Sequence, residues 1–578
     1  MLYEMVTGKT PFRGDYDQAI IYQAINAEPE PVQSLRPDTP ADLQSIIAKA
    51  MQKDPQKRYQ SAEEIKSDLM RLKGGYGPAT TAPSGFRLPA RKRQKFIRIA
   101  GVSVTLIVML AVAAIVFFSR RPAAIDSVAL LPFTNATGDS TLEYLSDGLT
   151  ETLINKFSQL PHLHVIARTT AFSYKGKDQD PRKVGHDLDV RAVLTGKIVQ
   201  RGNLLTVQAD LVDALDGTQI WGERYSRELS DILALQEEIG GQISDRLRLR
   251  LSGEEQQRLT KSYTQNAEAY QLYLKGRYWS ERLTEEGFRK SVEYFNQAIE
   301  KDPSYALAYS GLADTYYWAS NSYLPPRETM ERARRAAMQA LERDSLLAEA
   351  HLSLAFVKMG YDFDWSGTET QLRRAIELNP GFAWAHFWLG RYLTLQGRYE
   401  EGIAELKRAK QLDPLSPFIC LEQGFPALFM RRYDDVIQNA RATIEMYPSF
   451  AFAHFVLGDQ YVLKREYATA VAEYQSALRL DNSPVFLAGL GQAYAAAGET
   501  GKANSILRDL SMGTYPPPYR IALVYAAMRN KDQVLRWLQR AYDDRNDELI
   551  WLKNDPRLDP YRSEPRFMKL IKKLGLEK

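Results

Sequence analysis

From Pro380 onward the chain marks time: Pro380, Pro414 and Pro448 lie 34 residues apart, and Asn482 takes the next slot at the same interval. A fixed period in the range of roughly 20–50 residues restricts a chain to an array of one repeated supersecondary unit. Each unit leaves an apolar face that only a neighbour of the same shape can cover. Glycine falls ten residues after the prolines, at Gly390, Gly424 and Gly458. Small residues precede the closing slots by five, at Ala375, Ala409 and Ala477, with Thr443 the exception. Small residues let paired helices approach closely, and proline ends a pair because it cannot continue a helix. The register extends outward through Pro303 with Ala298 and Ser345 with Ala340, a spacing of 42 that admits an inserted loop around SNSYLPPRE. Downstream, Gly491 with Ala503 and Ala522 with Ala541 sketch two further hairpins. The pattern predicts about eight helical hairpins over 266–547, a C-terminal cap over 548–578, and a mostly α fold.

This spacing resembles that of tetratricopeptide repeats. The resemblance implies an α-solenoid whose concave groove is lined by first-helix positions one, four, eight and eleven steps after the helix start. Here those are Trp384, Phe387, Arg391 and Thr394; Phe418, Leu421, Phe425 and Leu428; then Phe452, Phe455, Asp459 and Val462. Such a groove is aromatic and weakly charged, and suits an apolar helix or extended segment of a protein partner. The same rings serve equally as filling between hairpins. His351, His386 and His454 share one slot of the repeat and read as packing.

Twenty uncharged residues, 99–118, run IAGVSVTLIVMLAVAAIVFF. As a helix rising about 1.5 Å per residue they span the roughly 30 Å hydrocarbon layer, which predicts one transmembrane helix. Arg87, Arg91, Lys92, Arg93, Lys95 and Arg98 precede it, whereas Arg120 and Arg121 follow. The positive-inside rule then places residues 1–98 in the cytoplasm and the C-terminal domains outside the cytoplasmic (inner) membrane. Residues 74–98 form a flexible linker that turns basic at the membrane.

Residues 1–73 read as short helices, with Thr39 as a cap before Pro40 and Ser61 with Glu64 as a capping box. LYEMVTGKTPFRGD and KDPQKRYQSAEEIKSDL resemble the end of the C-lobe of a bacterial transmembrane serine/threonine protein kinase. The Gly-rich loop, strand Lys, HRD and DFG segments of that family are absent here, so the resemblance implies a remnant without catalysis. ATP and Mg enter only if a kinase part precedes Met1. Arg58 matches a kinase arginine whose Glu partner would also lie upstream, so a buried, unpaired guanidinium is expected. Gly8-Lys9-Thr10 lacks the earlier Gly and strand of a phosphate loop.

Over 126–252 the pattern is mixed. SVALLPF and LHVIART are apolar runs, EYLSDGLTETLINKFSQL has helical spacing, and the period drops to two around Arg201-Gly202-Asn203 and after Asp216-Gly217. A helix from Asp231 to about Leu251 carries Ile232, Leu235, Ile239, Ile243 and Leu247 on one stripe. The words VALLPFTNATGDSTLEYLSDGLTETLINKFSQLPHLHVIART and VDALDGTQIWGERY resemble the TolB-amino-terminal-like domain, which implies a small α/β assembly or sensing module. Asp139, Glu143, Asp147 and Glu151 are expected as wet surface charges, and Trp221 as core. His162, His164 and His186 lack metal-ligand spacing.

A net charge of +4, from 75 basic and 71 acidic side chains, recommends no nucleic acid partner, and the single Cys420 rules out an internal disulfide. The sequence therefore predicts a membrane-anchored protein-binding scaffold or sensor, with no cofactor or metal. The rival expectation is a signalling kinase whose catalytic part is missing from this chain.

Overall fold

The computed structural model describes residues 2–12, 29–52, 57–59, 61–74, 125–177, 180–247, 249, 251–282, 284–320, 324–513 and 516–577. The apolar run 99–118 and the basic linker before it lie outside these residues. Among the described residues no helix is long and apolar enough to cross a membrane. The chain divides into two compact units, Met1–Arg121 and Pro122–Lys578.

In the first unit, helices α1 (Leu2–Thr7), α2 (Val32–Leu35), α3 (Ala41–Ala50) and α4 (Ala62–Gly74) enclose a small core of Tyr3, Val32 and Ile47. Two sequence expectations fail here. Pro40, not Thr39, sits at the N-cap of α3 without a side-chain cap, and Gln44 Nε2 donates back to the Thr39 carbonyl at 2.7 Å. Arg58 is exposed, and its Nε donates to the Gln52 carbonyl, so the expected cost of a buried guanidinium does not arise.

The second unit begins with a mixed sheet in the order β3-β1-β4-β5-β6, with β2 (Thr134–Asn135) also beside β4. Its strands are β1 (Ser127–Leu130), β3 (His164–Val165), β4 (Ala192–Arg201), β5 (Leu204–Asp213) and β6 (Gln219–Glu228). Alternation along β1 and the residue after it sends Val128 and Leu130 to one face and Ala129 and Leu131 to the other. All four are buried because helices cover both faces. α5 (Glu143–Ser158) and α8 (Ile232–Arg246) close one face, and α7 (Pro181–Leu188) the other; α6 (Arg168–Phe172) follows β3. The β4–β5 hairpin turns at Gly202-Asn203, where Gly202 has φ +59°, a conformation open to glycine at little steric cost. The predicted stripe on α8 is fully buried, but the helix ends at Arg246; a separate α9 (Gly253–Thr260), with a Ser252/Glu255 capping box, replaces the expected continuation.

Eight helical pairs follow. First helices are α10 (Ala267–Ser280), α12 (Ala306–Ala319), α14 (Ala348–Val357), α16 (Ala383–Leu395), the broken α18/α19 (Pro417–Glu422, Phe425–Phe429), α21 (Ala451–Leu463), α23 (Pro484–Ala496) and α25 (Pro518–Ala527). Their partners are α11 (Glu285–Lys301), α13 (Pro326–Arg343), α15 (Trp365–Leu378), α17 (Tyr399–Leu412), α20 (Tyr433–Met446), α22 (Tyr467–Leu480), α24 (Thr500–Met512) and α26 (Lys531–Asp543). The periodic glycines mark close crossings: a Cβ on Gly390 would lie 2.9 Å from the Gly402 carbonyl, and one on Gly458 2.8 Å from the Tyr474 ring. The fifth pair keeps the period, but its first helix breaks at Gln423-Gly424 because Pro426 supplies no N–H and its ring clashes with the preceding turn.

After the last pair the chain does not simply stop. Two single turns, Asp547–Trp551 and Pro556–Tyr561, and α27 (Pro565–Lys573) fold back against the middle of the array. Trp365 Nε1 donates to the Leu574 carbonyl at 2.7 Å, Arg545 Nη1 to the Tyr361 carbonyl at 3.1 Å, and Asn554 Nδ2 to the Leu395 carbonyl at 3.1 Å. Phe363 shares a core with Leu549, Leu552 and Leu574.

Candidate functional site

Helix periodicity places one stripe of each first helix on the concave side. On α12 the stripe is Ser310, Asp314 and Trp318; on α14 it is Glu349, Leu352 and Phe356; α16 adds Trp384 and α18 Phe418. Facing them across a cavity of 360 Å³ stand Glu151, Ile154 and Ser158 of α5 and the turn into α6. Rings from five of the first helices, α12, α16, α18, α21 and α23, build a ladder: Trp318–Trp384 at 6.1 Å, Trp384–Phe418 at 6.4 Å, Phe418–Phe452 at 5.9 Å and Phe452–Phe486 at 6.5 Å between centroids.

The α/β domain is seamed to the solenoid beside this cavity. Ala167 N–H donates to the Leu412 carbonyl at 2.8 Å, and Gly381 N–H to the Ser158 carbonyl at 3.0 Å. Thr170 donates to Asp413 Oδ1 from both its N–H, at 2.9 Å, and its hydroxyl, at 2.7 Å. The seam contradicts the expectation that Glu151 and Asp147 are wet. Both are buried. Arg168 and Arg277 clasp the Glu151 carboxylate at 3.1 and 2.7 Å, and each also reaches Glu281, at 3.0 and 3.1 Å. Burial pushes the Glu151 carboxyl up, but Arg277 and Arg168 outweigh it and hold the group below the usual carboxylate range. Asp147 and Glu143 share Lys175, at 2.6 and 2.7 Å. Asp139 alone is exposed as expected, accepting from Thr141 N–H as a cap.

Asp314 and Glu349 face the cavity without a cation of their own. Burial pushes Asp314 up to about 6, against the Ser353 hydroxyl and Arg277. Burial likewise pushes Glu349 up to about 7, with the neighbouring Asp314 adding to the effect.

Of the twelve groove residues expected from sequence, nine divide between two cavities, Leu428 among those of the second, whereas Phe387, Thr394 and Val462 line neither. Trp384 and Phe418 line the open cavity, and Phe387 is buried against Trp384 with centroids 5.1 Å apart. Arg391, Leu421, Phe425, Phe452, Phe455 and Asp459 line a second recess of 110 Å³. The C-terminal segment forms one wall of it: Trp551 lies 5.1 Å from Phe425, and Arg557 reaches Asp459 at 2.8 Å. Arg520 also pairs with Asp459, at 3.1 Å. Arg391 pairs with Glu422 at 3.0 Å and sits over the rings of Trp388, Phe425 and Trp551. Both of these charged side chains are thus engaged inside the chain. The histidine slot repeats a structural bond: His351, His386 and His454 Nδ1 meet Gln371, Glu405 and Glu473 at 2.6, 2.6 and 2.7 Å. Trp221 is buried in the sheet core. Among the described residues no group of three or more His, Cys, Asp or Glu side chains is placed to hold a metal.

Sequence reasoning missed Ser310, Asp314, Glu349 and Phe356, although the signal was present. They occupy in the second and third hairpins the slots that Phe387, Arg391, Trp384 and Arg391 hold in the fourth; carrying the register back through Ser345 and Pro303 finds them.

A family model described as Tetratricopeptide repeat matches residues 367–417 and 427–484, so the chain carries tetratricopeptide repeats. A model described as HilA/YgeH-like transcriptional regulator, second domain, matches residues 124–240; the TolB-amino-terminal-like resemblance of that segment rests on its sequence words alone. The chain is 33% identical over 233 residues to Putative adenylate cyclase 3 of Rhizobium meliloti (strain 1021), covering 40% of this chain and 39% of that protein. It is 38% identical over 78 residues to serine/threonine-protein kinase PknB of Mycobacterium tuberculosis (strain ATCC 25618 / H37Rv), covering 14% and 12%. It thus spans well under half the length of these relatives. Among solved structures, Pseudomonas aeruginosa pilF shares 22% identity at a TM-score of 0.28 over 36% of this chain and 91% of that one. Yeast Tom70 shares 15% at 0.36, over 53% and 67%. Likenesses at those scores carry nothing further for this chain.

Proposed function

We propose that the chain is a non-catalytic scaffold that holds a polypeptide partner in the cleft between the α/β domain and the concave face of its tetratricopeptide repeats. The observation that carries this reading is the ladder of rings beside an open cavity: large aromatic surfaces on rigid helices are what anchor a partner segment. In this reading residues 99–118 tether the scaffold to the cytoplasmic membrane, with the N-terminus cytoplasmic and the solenoid outside. The α/β module, TolB-amino-terminal-like by its sequence words, couples the cleft to that tether. A second reading has one specific support, the kinase-like words of residues 1–73 together with the identity to PknB. In it the chain is the partner-sensing part of a serine/threonine kinase whose phosphoryl-transfer machinery lies outside this sequence.

Site-specific photo-crosslinking tests the first reading. A benzophenone side chain placed at Trp384 in the full chain, in its native membrane, should give a discrete polypeptide adduct; the same group at Met446, half exposed on a second helix, should not. Equal labelling at the two positions, or no adduct at Trp384, refutes it.

A further inference from the structure

The cleft is not only aromatic; its charge is unbalanced. Five carboxyls, those of Glu151, Glu281, Asp314, Glu349 and Asp413, line it against the two guanidinium groups of Arg168 and Arg277. Both guanidinium groups are committed to Glu151 and Glu281, so that quartet is neutral within itself. Asp413 is held across the seam by Thr170, which donates twice to its Oδ1, while its Oδ2 is buried without a hydrogen-bond partner. Asp314 and Glu349, on neighbouring first helices, are left facing the cavity uncompensated. One turn before Asp314 on the same stripe, the Ser310 hydroxyl is 1% exposed and has no hydrogen-bond partner. One turn after it stands Trp318, 40% exposed, with Trp384 next along the wall. Carboxylates bordered by open indole faces are the surroundings that favour a desolvated cation.

We infer that this cleft recognises a lysine or arginine side chain of the partner polypeptide, flanked by an apolar residue, with Asp314 and Glu349 as counter-charges and Trp318 and Trp384 as the wall it packs on. The inference rests on the reading of the cleft as a polypeptide site and names the chemistry it selects. The volume suits one long side chain and its neighbour. Among the described residues that line the cleft, none offers a free cation to an anionic ligand.

The raised carboxyl groups give the binding a pH signature. Asp314 faces Arg277, Glu281 and Ser353, and Glu349 faces Asp314, Arg277 and Asp344. With values of about 6 and about 7, both are largely protonated at pH 5 and ionised at pH 8. Cation affinity should therefore rise across that interval.

The test is calorimetric titration of the full chain, solubilised in detergent, with acetyl-Leu-Arg-Leu-amide and with its isosteric neutral counterpart carrying citrulline. The arginine peptide is expected to bind roughly tenfold or more tightly than the citrulline peptide at pH 8, with the preference shrinking at pH 5. Asp314→Asn combined with Glu349→Gln, which keeps shape and volume, should abolish the preference, and Trp318→Leu should weaken both peptides. Equal affinity for the two peptides overturns cation recognition while leaving a polypeptide cleft in place. A preference unchanged in the double variant, or no binding of the arginine peptide, also overturns the inference. Absence of the Trp384 crosslink instead refutes the underlying reading.

Discussion

Glu151 ties the α/β domain to the solenoid through two guanidinium groups, Arg168 on its own side of the seam and Arg277 on the other. Replacing it with alanine leaves Arg168 and Arg277, each about one-quarter exposed or less, facing each other with only Glu281 between them. Removing one partner of a buried ion pair costs about 3–5 kcal/mol. Glu281 still pairs with both guanidinium groups, which puts the expected loss near the lower end, about 3 kcal/mol. Urea denaturation of the full chain in detergent, followed by tryptophan fluorescence, should show the Glu151→Ala transition shifted accordingly. Glu254→Ala is the matched control, because that carboxylate is 86% exposed and 3.9 Å from Arg258; its effect should stay within about 0.5 kcal/mol. Since the folded Glu151 carboxyl lies below its unfolded value of 4.5, its contribution is present above that pH and is lost as pH falls through the folded value. The gap between wild type and Glu151→Gln should therefore close under acid. A Glu151→Ala shift no larger than that of the control would refute the reasoning.

Gly381→Ala should cost about 1–3 kcal/mol and loosen the same seam, because the new Cβ would lie 2.7 Å from the Ser158 carbonyl; hydrogen exchange over 158–172 reads this. Arg465 turns with φ +64° on an exposed surface, so Arg465→Gly should stabilise by about 0.5–1 kcal/mol in the same urea assay. Arg557→Ala removes the cation shared by Asp459 and Asp555, at 2.8 Å each, and should free the C-terminal segment; trypsin should then cut within 547–577 faster than in wild type.

The repeats were legible because their constraint is periodic: closely crossing helices need a small residue at the same step each time, and Gly390 and Gly458 meet that need where they stand. The β4–β5 hairpin was legible because its turn chemistry is local. Glu151 was not. Its partners lie 17 and 126 residues away in sequence, and a carboxylate on a helix reads as solvated until the residues that cover it are known. For the same reason Arg391 and Asp459 read as groove charges, when Arg391 is taken by Glu422 of the next pair and covered by Trp551, and Asp459 by Arg520 and Arg557. The break at Pro426 was visible as a residue, but the period that identified the hairpin passes straight over it.

The fold-back of residues 547–577 onto helices near residues 361–365 and 395 changes how this array must be made. In an open solenoid each repeat answers only to its neighbours, and a shortened array is a smaller version of the same object. Here the last thirty or so residues clasp segments translated about two hundred residues earlier, with Leu574 receiving the Trp365 indole. Until the ribosome releases that tail, the half-built array leaves Phe425 and Phe429 without the Trp551 ring that packs on them in the finished fold. A prematurely terminated chain is therefore a loop left unlatched, with sticky aromatic surface bared, rather than a shorter working protein.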